Sequence, residues 1–434
     1  MRMSVMETPR PARGRRSIFS SRFQRFAAVT AIGALVLAVP VTAFVVAAPQ
    51  AGRASSDFDR WVRAQWPAAR SAGVGWSTYR AAFRGLRLDR DVIAKAQRQP
   101  EFTTFIGDYV DRRVAELRIE NGRAEKRKWD RWLDRIEARY GVDRHVVLAI
   151  WGIESAYGKV LDNPKIVKGT IRSLATLAYL GGSRARYAKR QLVAALKIIE
   201  EGDVAPRHMT GSWAGAMGHT QFIPTTYEAY AVDMDGDGKR NIWTSVPDAL
   251  ASTANYLMKA GWEKGKTWGY EVAMPRSFNY RIADKDKVMT LAEWHKLGIR
   301  RSGGRSFPRP GDEARLFLPA GAHGPAFLLL RNFRVIKRYN NADAYALAVG
   351  HLADRIRGGD DFRRDWPEDE IRLVERHKKE LQRLLTRRGY AVGAIDGKLG
   401  VRTRSAIRRF QRSKGLIADG HPSLRLIRRL RGER

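Results

Sequence analysis

Between about Asp57 and Asp361 the apolar positions recur at spacings of three and four, as in Val146/Ile150/Ile153 and Leu192/Leu196/Ile199. That period predicts amphipathic helices, and hence a mainly α fold with small β or irregular insertions. Residues 142–157, VDRHVVLAIWGIESAY, predict one helix with Asp143 near its start and Gly158 just past its end. Breaks in the pattern fall at Gly181-Gly182, at Gly211 to Gly218 and at Gly303 to Pro310. The run DDFRRDWPEDE from Asp360 to Glu370 is charged, contains Pro367 and reads as a linker. Beyond it the helical period resumes: Thr403 is expected to cap a helix reaching Gln411, with Ala406 and Phe410 on one face.

The start of the chain has a different pattern. Seven Arg and one acid, Glu7, precede Ala27, and residues 27–48 then run AAVTAIGALVLAVPVTAFVVAA without a charge. As a helix this stretch would be roughly 33 Å long, enough to cross a hydrocarbon layer. Arginine on the near side is the positive-inside arrangement, so the remainder is expected outside the cytoplasmic membrane. Two forms stay open, a cleaved signal peptide or a retained anchor.

Charge and composition narrow the rest. Lys and Arg number 80 against 45 Asp and Glu, leaving +35, which calls for an anionic partner. Nucleic acid fits the charge alone, but an export segment points instead to acidic lipid or a polyanionic wall. Residues 371–434 carry 19 basic and 5 acidic side chains, so positive charge is densest at that end. With no Cys, disulfides, thiolate metal sites and Cys nucleophiles are excluded. No GxxxxGK[ST], GxSxG or HExxH motif occurs.

Two stretches carry candidate chemistry. Glu154 follows Ile153 at the end of its predicted helix, where apolar neighbours and the negative helix terminus both favour a protonated carboxyl. Such an acid suits glycosidic bond cleavage, although a solvated last-turn Glu is the ordinary reading of that spacing alone. Asp233, Asp235 and Asp237 with Gly238 match the opening of a calcium loop, where Lys239 offers a carbonyl and Asn241 an oxygen. Position twelve is Thr244 rather than Glu, leaving Asp248 as the missing carboxylate. The competing reading is an Asx-turn loop whose acids pair with Lys239 and Arg240.

Four segments in order, IWGIESAYG, GSWAGAMGHTQFIPTTYEAYAVD, VPDALASTANYL and VIKRYNNADAYALAVGHLADRI, resemble the membrane-bound lytic murein transglycosylase B family over roughly Phe58 to Arg357. LQRLLTRRGYAVGAIDGKLGVRTRSAIRRFQ and the following SKGLIADGHPSL resemble the peptidoglycan-binding-like domain. These resemblances imply a lysozyme-like multi-helix catalytic domain plus a small three-helix wall-binding domain. They further imply non-hydrolytic cleavage of the MurNAc–GlcNAc β-1,4 bond, leaving 1,6-anhydro-MurNAc ends. Glu154 would be the single catalytic acid and base, while Ser212, Gln221, Tyr339, Asn340 and Tyr345 would line the saccharide groove. Gly215 and Gly218 would let a sugar approach backbone amides closely.

The expected layout is a basic n-region at 1–26, a signal or anchor at 27–48, a catalytic domain at 55–361, a linker at 362–370 and a wall-binding module at 371–434. No cofactor is required, a structural calcium is the candidate metal, and peptidoglycan is the expected partner. The cytoplasmic membrane joins it if the anchor is retained, and nucleic acid is not expected. The location is the periplasm or cell envelope. A lysozyme-type hydrolase of the same bond and a non-catalytic wall-binding scaffold are the alternatives.

Overall fold

The computed structural model describes residues 51–97, 104–285, 287–368 and 370–433. The expected n-region and export segment lie outside these residues. Among the described residues no helix is long and apolar enough to cross a membrane.

Helices dominate, as their apolar period requires. The Arg144–Ser155 helix is nearly all apolar and buries Val146 to Ile153 without a break, so it has to run through the centre of the body. Asp143 caps it by accepting from the His145 amide, and Ala156 ends it in the left-handed conformation. Its partners are the Asp343–Arg357, Glu116–Lys128 and Val246–Lys259 helices. Leu133, Trp151, Leu250, Phe333 and Leu347 join it in one core. The Ala185–Glu200 helix packs Leu192, Leu196 and Ile199 against Ile171, Leu174 and Phe58 in a second core. The spacing-based expectation for both helices holds.

The expected small β insertions include one five-stranded sheet. Five antiparallel strands lie in the order Val288–Thr290, Glu313–Phe317, Ala326–Leu329, Gly269–Ala273, Arg300–Arg301. The central strand Ala326–Leu329 is buried at every position because its two faces serve different cores. Phe327 and Leu329 point into the helical core, whereas Ala326 and Leu328 close the sheet's own core with Val272, Leu291 and Trp294. Short apolar runs of this kind do not reveal their period, which hid the sheet in the sequence.

Segment 360–370 is no free tether. His351 bonds the Asp361 carboxylate at 2.8 Å, and the Phe362 ring stacks on His351 with centroids 3.8 Å apart. The Arg363 and Arg364 amides donate to the Glu271 carboxylate at 3.0 and 3.1 Å. Charge in this run therefore anchors the chain instead of solvating it.

Past it, the Glu375–Arg387, Val401–Ser413 and Leu424–Arg431 helices close a core of Leu381, Leu385, Ala406, Phe410 and Ile427. Thr403 does not cap: Gly400 holds the N-cap position without a side-chain bond, and Thr403 is buried. Two glutamines bracket two Asp-Gly turns in the same way. Gln382 accepts from the Gly397 amide at 2.8 Å beside Asp396, and Gln411 accepts from the Gly420 amide at 2.9 Å beside Asp419. The second turn reaches out of the module, since the Asp419 carboxylate also accepts from the Ala322 amide at 2.8 Å. Replacing Asp419 with Ala strands that buried amide and the Gln411 side chain. The loss should be about 1–3 kcal/mol, with faster amide exchange at Ala322 and Gly420 than elsewhere in the chain.

Candidate active site

Glu154 occupies the penultimate position of the Arg144–Ser155 helix, where the chain must stop being helical to release a side chain from the core. Ala156 and Tyr157 both take left-handed φ values, 51° and 59°, and Gly158 continues the turn at 85°. The only other non-glycine with positive φ among the described residues is Gln221 at 56°, on the opposing loop. Strain of this kind persists where surrounding contacts over-determine it. Here the contacts are explicit. Tyr157 donates to the Arg118 carbonyl at 3.0 Å, and Arg118 donates back to the Gly152 carbonyl at the helix end at 3.1 Å. Ser155 donates to the His219 carbonyl at 2.6 Å and accepts from the Gly158 amide at 3.0 Å.

The carboxyl of Glu154 is only partly open to solvent, and its pKa rises from 4.5 to about 7. Burial is the main cause; the hydrogen bond from Tyr345 and the charge of Arg113 oppose it. Tyr345, itself buried, donates to Glu154 Oε1 at 2.7 Å. Among the described residues no carboxylate acts on Glu154. The groups around it are phenols: Tyr109, Tyr339 and Tyr345 all feel its charge, and burial raises all three. Near neutral pH this carboxyl can both give and take a proton.

The other expected groove residues divide. Tyr339 stands at the end of the Arg331–Tyr339 helix, donates to the Thr220 carbonyl at 2.6 Å and lies close to Glu154. Asn340 follows it with an extended backbone that releases the chain from the helix. Gln221 donates to the Gly218 carbonyl at 2.8 Å, and its buried Oε1 has no partner among the described residues. Ser212 is held by the loop itself. It is 1% exposed, and its hydroxyl accepts from the Ala216 amide at 3.1 Å, so it braces the loop from behind. The loop glycines also answer to the protein rather than to a sugar. A Cβ at Gly218 would lie 2.3 Å from the Ile242 carbonyl oxygen, and one at Gly215 would lie 2.4 Å from Leu174.

His219, Arg113, Arg118 and Tyr109 complete the surroundings and were not singled out in the sequence. His219 accepts from the Trp151 indole at 3.0 Å, and burial lowers its pKa to about 4. It is therefore neutral near pH 7 and serves as a strut, not as a second acid. The histidine in the GHTQF segment was the available signal; Arg113 and Arg118 come from a charged helical stretch with no motif.

Asp233, Asp235, Asp237 and Asp248 offer oxygens that all lie within 4.8 Å of one another. Each of the first three accepts loop amides in Asx-turn fashion, for example Gly236 and Gly238 on Asp233 at 2.6 and 2.9 Å. Asp248, buried on the Val246–Lys259 helix, accepts from the Met234 and Asn241 amides at 2.7 and 2.8 Å. The Lys239 amide bonds Asp237. The ion pairs expected for an Asx-turn loop are not those formed: Arg240 turns away to Asp203 and Glu201. Asn241 is not aimed at the cluster either, since its oxygen accepts from the Trp243 and Thr244 amides at 3.1 and 3.0 Å. Four converging carboxylates without a cationic side chain among them fit a hard cation held by oxygen. Asp248 feels this crowding, being raised by burial first and by the neighbouring Asp235.

Residues 57–354 match the model described as "Transglycosylase SLT domain". The chain belongs to that family. Residues 378–430 match the "Putative peptidoglycan binding domain". Membrane-bound lytic murein transglycosylase B of Escherichia coli (strain K12) is 31% identical over 244 residues, covering 55% of this chain and 63% of that relative's length. Among solved structures, SltB3 from Pseudomonas aeruginosa in complex with NAG-anhNAM-pentapeptide is 48% identical, with a TM-score of 0.78, covering 86% of this chain and 99% of that one. The Escherichia coli lytic transglycosylase Slt35 in complex with calcium is 25% identical, with a TM-score of 0.56, over 70% of this chain and 93% of that one. Membership of the family agrees with the resemblance that the four catalytic segments carry, and the C-terminal match agrees with the Asp-Gly turns described above.

Two outcomes follow from the electrostatics of Glu154. Tyr345→Phe removes a donor that favours the charged carboxylate, so the carboxyl pKa should climb further. The alkaline limb of a kcat/KM profile should shift to higher pH, an outcome that a pH series on both proteins would record. Stability has the opposite sense to that of a salt-bridged acid. A folded pKa above the unfolded one means the native state binds more protons between 4.5 and about 7, so stability falls as pH rises through that window. Glu154→Gln removes the effect; its melting temperature relative to wild type should rise from about pH 5 to about pH 8.

Proposed function

We propose that the protein is an exported lytic transglycosylase of the periplasm or cell envelope, cleaving the MurNAc–GlcNAc β-1,4 bond of peptidoglycan without water. The observation that carries the reading is one largely buried carboxyl, Glu154, with a pKa of about 7 and, among the described residues, no second carboxylate acting on it. Glycosidases that use two carboxylates hold them roughly 5 to 9 Å apart, and a lone acid needs its substrate to supply the second group.

In this reading Glu154 donates its proton to the bridging oxygen as the C1–O bond breaks and the GlcNAc end leaves as an alcohol. The N-acetyl carbonyl oxygen of the MurNAc stabilises the positive charge at C1. Glu154, now a carboxylate, takes the proton of the C6 hydroxyl while that oxygen bonds to C1. A 1,6-anhydro-MurNAc end forms, the acid is regenerated, and no water is consumed. The Tyr345 hydroxyl stabilises the carboxylate midway. Gln221, Tyr339 and Asn340 line the groove.

The division of labour proposed is export through residues 27–48, chemistry in 55–361, connection through 362–370 and wall attachment in 371–434. No cofactor takes part. Asp233, Asp235, Asp237 and Asp248, with the Lys239 carbonyl, would hold a structural calcium, a charge that would relieve the repulsion among the carboxylates.

Purified sacculi incubated with the protein should release muropeptides that mass spectrometry shows to end in anhydro-MurNAc, and Glu154→Gln should slow release by about 100-fold or more. Reducing-end products would favour the hydrolase, and no release from wild type would favour a wall-binding scaffold. For the acidic loop, millimolar calcium should raise the melting temperature, because a ligand bound only by the folded state stabilises it. Asp233→Asn with Asp237→Asn should abolish the shift; a melting temperature indifferent to calcium and chelator would leave the Asx-turn loop alone.

A further inference from the structure

Three helix ends meet at Arg118. It lies in the first turn of the Glu116–Lys128 helix, where a cation faces the positive helix end. Its guanidinium offsets that by reaching the carbonyl ends of two other helices. Nη1 donates to the Arg112 and Arg113 carbonyls at 3.0 and 2.8 Å, at the end of the Ile106–Arg113 helix. Nε donates to the Gly152 carbonyl at 3.1 Å, in the last turn of the Arg144–Ser155 helix. Among the described residues none of its acceptors is a carboxylate, and burial, followed by the like charge of Arg113, lowers its pKa. Half-burying a guanidinium without an anion is unfavourable, and what offsets it here is a planar fork that joins two helix ends.

The same residue holds the chain beyond the helix. Tyr157, in left-handed backbone, folds its ring back edge-on to Trp151, with centroids 5.4 Å apart. Its hydroxyl donates to the Arg118 carbonyl at 3.0 Å. The ring fits there because glycines leave room for it. A Cβ at Gly152 would lie 2.5 Å from the ring carbon Cζ, and one at Gly122 would lie 2.4 Å from the hydroxyl. Arg118 thus grips the turn at Gly152, before Glu154, and at Tyr157, after it. The Ile106–Arg113 helix to which it ties that turn carries Arg113, whose charge acts on Glu154, and Tyr109, which feels the charge of Glu154.

We propose that Arg118 and Tyr157 are positioning residues of the reaction, a clamp that sets how far the Glu154 carboxyl is drawn from water and where it stands relative to Arg113 and Tyr109. The inference rests on the reading of Glu154 as the catalytic acid. Helix ends fray unless something ties them down, and an acid displaced by about 1 Å transfers its proton far more slowly. With the clamp released, water reaches the carboxyl and the proton is held less tightly, because burial is what holds it. Tyr339 and Tyr345, which face Glu154 from the Arg331–Tyr339 and Asp343–Arg357 helices, make no bond to the clamp.

Turnover of a soluble wall-glycan oligomer by the full chain, followed across a pH series, tests this. Arg118→Gln should lower kcat about tenfold or more while KM changes by less than about twofold. The alkaline limb of kcat/KM should move to lower pH, the reverse of the shift expected for Tyr345→Phe. Tyr157→Phe, which keeps the ring in its slot, should move both readouts the same way by less. Arg118→Lys keeps the charge but has no fork to join two helix ends, so it should recover little of the loss. Full activity in Arg118→Lys, a fall in kcat with the pH profile unmoved, or a rise in KM with kcat intact would each overturn the proposal. Infrared difference spectra between Arg118→Gln and the same variant with Glu154→Gln report the carboxyl whether or not it is the acid. Its transition should fall below that of the wild type, and an unmoved transition would overturn the clamp. Undiminished turnover by Glu154→Gln alone would instead overturn the reading of the acid. Melting temperatures accompany every variant, and where Arg118→Gln does not fold, Tyr157→Phe carries the same test.

Discussion

Burial of one carboxyl at the end of a buried helix is the constraint on which the rest of the site turns. Desolvation drives Glu154 towards its neutral form, and the Tyr345 hydroxyl with Arg113 pulls it partway back. Neither influence alone suits an acid that must also act as a base. Fully desolvated, the carboxyl would hold its proton too firmly; paired with a close cation, it would never carry one at neutral pH. The balance leaves the pKa of about 7 that proton transfer in both directions requires.

Maintaining that balance explains features that otherwise look unrelated. A helix buried from Val146 to Ile153 needs partners on every side, and the two-faced Ala326–Leu329 strand helps to supply them by sending Phe327 and Leu329 into the same core. The helix must then end abruptly, which puts Ala156 and Tyr157 in left-handed backbone and ties Ser155 to His219. His219, kept neutral by its burial, holds the Trp151 indole without adding a charge near Glu154. The glycines of the opposing loop let it fold back on Ile242 and Leu174. Arg364 and Asp419 both bond Ala322, so the C-terminal module and the segment before it hold the sheet from outside.

Much of this was legible in the sequence, for reasons that differ residue by residue. The central helix announced itself because its N-cap, its apolar run and its terminating glycine are all local signals. Glu154 was visible as a carboxyl after an apolar stripe, but its protonation depends on burial, and the Tyr345 hydroxyl that opposes it lies 191 positions away and reaches it only through the fold. The bond from the Ala216 amide to Ser212 was not legible because a hydroxyl in a glycine loop reads the same whether it faces a ligand or braces a turn. Thr403 failed as a cap for a similar reason: the helix starts three residues earlier than a threonine signal suggests, and the side chain is needed in the module's core. The acidic loop was recognised from spacing, whereas the turning of Arg240 towards Asp203 is a long-range pairing that no local pattern records. The five-stranded sheet stayed hidden because its strands are short and its central one is apolar on both faces.

The central claim is that burial holds the Glu154 carboxyl near a neutral pKa in the folded protein without help from another acid. Infrared difference spectra between wild type and Glu154→Gln across a pH series isolate the carbonyl stretch of this one protonated group. The account predicts a single transition at about pH 7. A transition at the ordinary glutamate value of 4.5, or two coupled steps belonging to a carboxylate pair, would contradict it.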